Sequence, residues 1–327
     1  MSVGQHAAET GTTPAEAREA AGWRAWLARL VDTRDAWRLV VVAIPYIWLF
    51  LFFLVPFAIV LKISLAEPII ARPPFTPLFE WVDDSILQIQ ITFGNFLFLL
   101  EDRLYWVGYL NSLKLAFWST LFCLILGYPM ALAIARASQT MRNIYLMMII
   151  LPFWTSFLLR VYAWMGMLNS NGVINSILMW LGLIDEPIGF MHSEFAVFIG
   201  ITYSYLPFMI LPLYANLERL DLSLNEAAMD LGSRPFRVFI DVTLPLSLPG
   251  IIAGSLLVFI PATGEYVIPA LLGSPDNLMI GRVLFDEFFS NRDWPVASAV
   301  AIVLLVVLVA PIMFFQHHQM KESEAGH

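Results

Sequence analysis

Asn225-Glu226-Ala227-Ala228-Met229-Asp230-Leu231-Gly232-Ser233-Arg234-Pro235-Phe236-Arg237-Val238-Phe239-Ile240-Asp241-Val242-Thr243-Leu244-Pro245 is a polar-bearing segment set between two apolar runs, 195–216 and 248–271. Its alanine-rich start favours a helix, and Gly232 is suited to end one. Pro235 stands where a second, short helix can begin, because its missing N–H falls among donors that lack an intrahelical partner anyway. The segment therefore predicts a helix, a turn and a helix. Leu231, Phe236 and Phe239 give it apolar surface that a solvated loop has no use for, which points to docking on another protein. Glu226 supplies a polar anchor for such a dock.

Outward from this segment the chain is dominated by apolar sequence. Of its 327 residues 59% are apolar and only 13% charged, with a mean hydropathy of +0.73, too little polar material to cover a soluble surface. Runs long enough to cross a bilayer occur at 39–61, 113–135, 144–168, 195–216, 248–271 and 296–316. Six spans are expected, in an all-α integral membrane protein. Many carry proline (Pro45, Pro56, Pro129, Pro152, Pro207, Pro212, Pro261, Pro269), which predicts kinked helices and a bundle with more than one packing.

Lysine and arginine set the expected orientation. With the N-terminus inside, 11 of the 18 basic residues fall on inner segments (1–38, 136–143, 217–247 and 317–327) and four (Arg72, Arg103, Arg282, Arg292) on outer loops, which places both termini in the cytoplasm. The outer loops also hold 13 acidic residues, for a formal charge of -9, so the outer mouth would concentrate a cationic solute. Residues 1–38 lack the apolar core of a signal peptide and are expected to be retained. Within them Trp23, Trp26, Leu27, Leu30 and Val31 recur at helical spacing, as in a helix lying in the membrane interface; a disordered arm is the alternative. The expected organisation is a cytoplasmic arm at 1–38, a first span at 39–61, a periplasmic loop at 62–106, a five-helix core at 107–318 enclosing the inner loop 217–247, and a tail at 319–327.

Several chemistries are not proposed by the sequence. The three lysines, Lys62, Lys114 and Lys321, follow Leu61, Leu113 and Met320, so no P-loop can form around them. No His-Glu-x-x-His run or cysteine pair accompanies the five histidines, and neither a catalytic site nor a metal site is expected. A net charge of -8 argues against a nucleic-acid partner. Cys123 stands alone in an apolar run and is expected to pack.

The segment quoted first resembles the EAA loop of the inner-membrane permeases of ABC importers, whose pattern is Glu-Ala-Ala, three residues, Gly, nine residues, Ile, any residue, Leu, Pro. The spacing is matched throughout, with Val242 in place of isoleucine. The resemblance implies the type I permease fold and a coupling helix that enters a groove of a separate ATPase subunit, with Glu226, Ala227, Ala228, Gly232, Arg234 and Phe236 at the dock. Further stretches, Leu151-Pro152-Phe153-Trp154 through Arg160 to Gly166, Ile280-Gly281-Arg282-Val283-Leu284 and Asn291-Arg292-Asp293-Trp294-Pro295, look like polyamine permeases and are closest to the permease subunit of putrescine importers. The resemblance covers roughly residues 39–318. It implies a second, homologous permease subunit, ABC ATPase subunits that carry the ATP and Mg while this chain binds no cofactor, and a periplasmic polyamine-binding protein, all in or against a bacterial inner membrane.

Two charges are buried in the expected spans. Glu265, in the fifth, is costly in a bilayer unless paired or wetted, and so is Arg160, in the third. Counted along their helices at 1.5 Å per residue they reach one depth, roughly 22–24 Å. Two readings stay open. In one, Glu265 accepts an ammonium group on the solute path, with Tyr162, Trp164, Tyr203, Tyr205 and Tyr266 offering aromatic faces to a cationic alkyl chain. In the other, Glu265 and Arg160 neutralise each other and hold the bundle together. The expected function is a permease subunit of an ATP-driven polyamine importer, putrescine foremost. Spermidine or another solute in the same class, and a carrier driven by an ion gradient, are the alternatives.

Overall fold

The computed structural model describes residues 33–82, 86–274 and 277–325. The interfacial helix expected from Trp23, Trp26, Leu27, Leu30 and Val31 lies outside the described residues. The chain divides into two compact units, Met1–Lys62 and Ile63–His327. In the first, α1 (Thr33–Leu49) passes through a π-helical turn, Phe50–Leu54, into α2 (Val55–Ser64). Pro56 accounts for the turn: it offers no N–H to the carbonyl four residues back and crowds it, so the helix widens locally instead of breaking. Val41–Ser64 is long and apolar enough to cross a membrane.

Among its described residues the second unit is helical apart from one hairpin and an isolated bridge between Pro68 and Phe75. Strands β1 (Phe79–Val82) and β2 (Ile86–Ile89) pair antiparallel, Phe79 opposite Ile89. Then come α3 (Gly94–Glu101), α4 (Arg103–Ala135), α5 (Gln139–Ile150), α6 (Phe157–Leu168), α7 (Val173–Trp180) and α8 (Glu194–Leu217). The expected inner loop holds α9 (Leu222–Asp230), α10 (Pro235–Val238), a π-helical turn at Phe239–Thr243 and α11 (Leu244–Leu246). The chain ends with α12 (Leu248–Thr263), α13 (Val267–Leu272), α14 (Ile280–Phe285) and α15 (Trp294–Ala325).

Helix direction follows from side-chain registers. Along α4 and α8, Lys114 meets Glu194 and the Cys123 thiol meets the Thr202 carbonyl at 3.6 Å, so the two run the same way. Gly250 of α12 abuts Asn216 and Gly254 abuts Met209, so α12 runs against α8. The Tyr105 hydroxyl donates to Glu287, ahead of α15, at 2.9 Å and the Tyr109 hydroxyl to the Val300 carbonyl of α15 at 2.7 Å, which seats the start of α15 against the start of α4. Because α4 and α8 are parallel, residues 136–193 must return the chain between them. Against the six spans expected from the apolar runs, three helices among the described residues are long and apolar enough to cross a membrane, two bent helix pairs bring the number to five, and Trp294–Val309 of α15 is a shorter apolar stretch.

Two of the expected spans are not single helices. The run 144–168 breaks at Thr155 and Ser156 into Gln139–Trp154 and Phe157–Trp180, bent by 92°. Pro152 cannot continue the helical ladder; the chain tightens into a 3-10 turn over Leu151–Trp154 and the Thr155 hydroxyl donates to the Pro152 carbonyl at 2.7 Å. The run 248–271 stops at Thr263 and resumes at Val267 as α13, the gap being closed by the side chain of Glu265. The expected outer loops also carry structure: α4 begins ten residues ahead of the apolar run at 113, and α3, α7 and α14 fill stretches read as loop.

Two of the three buried clusters lie along α4, α8 and α12, with α6 and α13 closing one of them, and the third, around Tyr105, Tyr109 and Val300, lies between α4, α14 and α15. Cys123, Tyr128, Met209, Ile210, Leu213 and Val258 fill the half towards α9, and Leu115, Val161, Leu168, Ile201, Ile268 and Leu272 the other half. Small residues let the backbones close up: a Cβ on Gly254 would stand 2.8 Å from the Met209 sulfur and one on Gly250 2.7 Å from the Asn216 Cβ.

Candidate functional site

Asp221 opens the inner segment. Its carboxylate accepts from the Ser223 N–H at 2.9 Å and caps α9, and that bond holds the carboxyl below its ordinary range. At the other end of α9, Gly232 adopts φ +87°. The Ser233 N–H donates to the Ala228 carbonyl at 3.1 Å and the Gly232 N–H to the Met229 carbonyl at 2.8 Å, a Schellman closure that occupies carbonyls the helix end would leave orphaned. Arg234 precedes α10 with extended backbone and Pro235 is its first residue. The turn expected from Gly232 and Pro235 is therefore formed.

The segment is held at its base and open at its tip. Thr243 donates to the Asn225 side chain at 3.3 Å, and the Tyr128 and Ser247 hydroxyls are bonded at 2.9 Å while Phe239 packs edge-on against Tyr128. Arg142 pairs with Glu218 and donates to the Ala135 carbonyl at 3.1 Å, tying the ends of α4 and α8 beside it. At the tip Leu231 is 88% and Phe236 74% exposed. Glu226, Ala227 and Arg234 are exposed and Ala228 is half-buried. Two of the largest apolar side chains of the segment thus sit on its outside, away from any core. The clamps Asn225–Thr243 and Tyr128–Ser247 carry no pattern in the sequence, because each joins positions 18 and 119 residues apart.

The second candidate lies in the middle of the bundle. Glu265 is 8% exposed. One carboxylate oxygen accepts from the Val267 and Ile268 N–H groups at 3.0 and 3.3 Å, capping α13; the other accepts from the Tyr205 hydroxyl. Tyr205 stands halfway along the 24-residue α8, which fixes the depth of Glu265. Gly281 packs against this corner so closely that a Cβ there would lie 2.5 Å from the Gly264 carbonyl oxygen.

The ion pair expected between Arg160 and Glu265 is not formed. Arg160 lays its guanidinium over Phe153 and Phe157, 5.1 and 5.8 Å from the ring centroids, and its Nε is buried with no hydrogen-bond partner. Phe153 meets Phe208 edge-on, and Phe208 meets Tyr205 at 6.0 Å. The count that put the two charges at one depth assumed an unbroken helix from 144, which the 92° bend at Thr155 and Ser156 rules out; aromatic rings link the two regions, and each charge has found other partners. Of the remaining aromatics, Trp164 and Tyr203 pair edge-on at 5.4 Å, Tyr266 stacks on Phe285 at 4.2 Å, and Tyr162 is 53% exposed. The expected path residues are thus distributed between one bonded pair, Tyr205 and Glu265, and four other aromatics, Tyr162, Trp164, Tyr203 and Tyr266, that do not touch it through any ring contact among the described residues.

Residues 35–319 match the family model described as binding-protein-dependent transport system inner membrane component. The chain belongs to this family. Among its relatives is the spermidine/putrescine transport system permease protein PotB of Escherichia coli K12, 44% identical over 226 residues, which cover 69% of this chain and 82% of the relative. The PotB of Haemophilus influenzae is 39% identical over 277 residues, 84% and 92% of the two chains. In fold, the permease resembles a chain of a bacterial ABC transporter that imports the acidic polysaccharide alginate, with a TM-score of 0.66, 21% identity, and coverage of 91% of this chain and 99% of that one. The permease is therefore a multi-pass transport subunit of the inner membrane.

Proposed function

We propose that this permease forms half of the membrane path of an ATP-driven polyamine importer. The observation that carries the reading is the 39–44% identity to permeases named for spermidine and putrescine over more than two thirds of the chain. The partners are a second permease, ABC ATPases that hold ATP and Mg, and a periplasmic binding protein; one alginate transporter structure contains such a binding protein. In this reading both termini are cytoplasmic, and the domain limits are those expected above. Residues 222–246 dock on the ATPase through Leu231 and Phe236 with Glu226 beside them, so that ATPase closure moves α12 through its continuous link to α11. The kinked helices rock in response and alternate access. Solute passes Glu265 at mid-depth, where an ammonium group competes with the Tyr205 hydroxyl for one carboxylate oxygen, between the aromatic faces of Trp164, Tyr203 and Tyr266. Putrescine is the solute put first, with spermidine beside it.

The test is uptake of labelled putrescine and spermidine by the reconstituted complex. Replacing Glu226 by Ala should cut uptake on the order of tenfold, the cost of one interface anchor, while ATP hydrolysis continues. Wild-type uptake in that variant, or uptake that an uncoupler abolishes and ATP does not support, rejects the proposal.

A further inference from the structure

Lys114 and Glu194 form an ion pair at the end of the bundle away from residues 222–246, with Nζ 3.5 Å from the carboxylate and each side chain little more than half exposed. Lys114 lies at the edge of an apolar run, where an ammonium needs water or a partner. Behind the pair a cavity of about 30 Å³ opens, room for a water or two but not for an alkyl chain. Asn111 and Asn277 join the pair in its polar wall; Phe198 and Pro269 help form the apolar one. Pro269 belongs to α13, the helix that Glu265 caps, so the cavity lies one short helix from the mid-depth carboxylate.

We infer that the Lys114–Glu194 pair is a gate that the solute itself opens: a primary ammonium of the polyamine replaces Lys114 on Glu194, and the released lysine side chain makes room for the methylene chain beside Phe198. The inference rests on the polyamine reading above. Its chemical basis is identity of groups, since the lysine side chain is a butylammonium and presents to Glu194 the same head that a terminal aminoalkyl group presents. Exchange between the two costs little, because a long, half-exposed ion pair is weak and its lost partner is replaced in kind. A lysine that has left Glu194 remains at the mouth as a mobile positive charge, which discourages return of a second cation to the same place.

The experiment is equilibrium binding of labelled putrescine and spermidine to the purified permease–ATPase complex in nanodiscs, without binding protein. Lys114→Met should tighten binding about threefold to fivefold, the worth of the competing pair, and Glu194→Gln should weaken it by at least as much. An ion pair with a purely structural role predicts shifts of the same sign, since both variants remove the same bond. Same-sign shifts, or no shift or no measurable binding in any of the three forms, overturn the gate. Should Glu194→Gln fail to assemble, Lys114→Met alone decides, and binding no tighter than wild type overturns the gate. A wild-type complex that imports neither polyamine when its binding protein is supplied brings down the gate and the polyamine reading together; one that imports them while the variants fail brings down the gate alone.

Discussion

Glu265 shows how one residue can be found from sequence for one reason and be placed in the structure by another. Its charge in an apolar run marked it, and its burial agrees, but its carboxylate is engaged by the Tyr205 hydroxyl and two backbone N–H groups, not by Arg160. Those donors come from α8 and from the residues directly after Glu265, and helical counting does not reveal a side chain turning back to cap the next helix. Glu265→Gln sets an amide N–H against the Tyr205 hydroxyl and weakens the cap; the expected loss is about 1–3 kcal/mol, the range for hydrogen bonds to a charged group, read by thermal unfolding of the complex. Tyr205→Phe removes one bond and leaves the cap, so it should cost less, and the two changes combined should cost less than their sum. A Glu265→Gln complex as stable as wild type would show that the cap carries no weight.

At the scale of elements, the segment 222–246 was legible because its signals are local. Gly232 ends α9 and Pro235 starts α10 where expected, since both act through their own backbone. Gly232→Ala has open space for its Cβ and meets only the cost of φ +87°, about 1–2 kcal/mol, so the bundle should survive while uptake falls; unchanged uptake would separate the turn from coupling. Asp221 adds a pH dependence. Its carboxyl is held below its ordinary value of 3.8 by the Ser223 N–H, so the cap contributes above that value and is lost as pH falls through the lower, folded-state one. Amide exchange at Ser223 in a stable Asp221→Asn variant should lose this dependence. The breaks at Thr155 and at Gly264–Tyr266 were not legible as breaks. Proline announces a kink, but its angle depends on the surroundings, here a 3-10 turn closed by the Thr155 hydroxyl on the Pro152 carbonyl in one case and the close packing of Gly281 against Gly264 in the other.

For the whole molecule, the close approach of α8 and α12 and the tie at Arg142 carry the strongest expectations. Gly254→Ile puts branched carbon against the Met209 sulfur and backbone; overpacking of this kind costs about 1–3 kcal/mol, and the yield of assembled complex should fall with its melting temperature. Arg142→Ala leaves Glu218 without its cation and the Ala135 carbonyl without a donor; a loss of about 1–3 kcal/mol is expected, less if Glu218 turns to solvent, measured the same way. What the sequence determined by itself is whatever is local or additive along the chain: the apolar runs that need a bilayer, the helix, turn and helix between the fourth and fifth runs, and the family pattern that this segment bears. The tertiary structure alone decided which helices run parallel, which apolar runs are bent, and whom each buried charge meets. Lys114 is 80 residues from Glu194 and Tyr205 is 60 from Glu265. Separations of that size leave no periodicity to read, because such contacts depend on how several helices fill space together and not on the rise of any one of them.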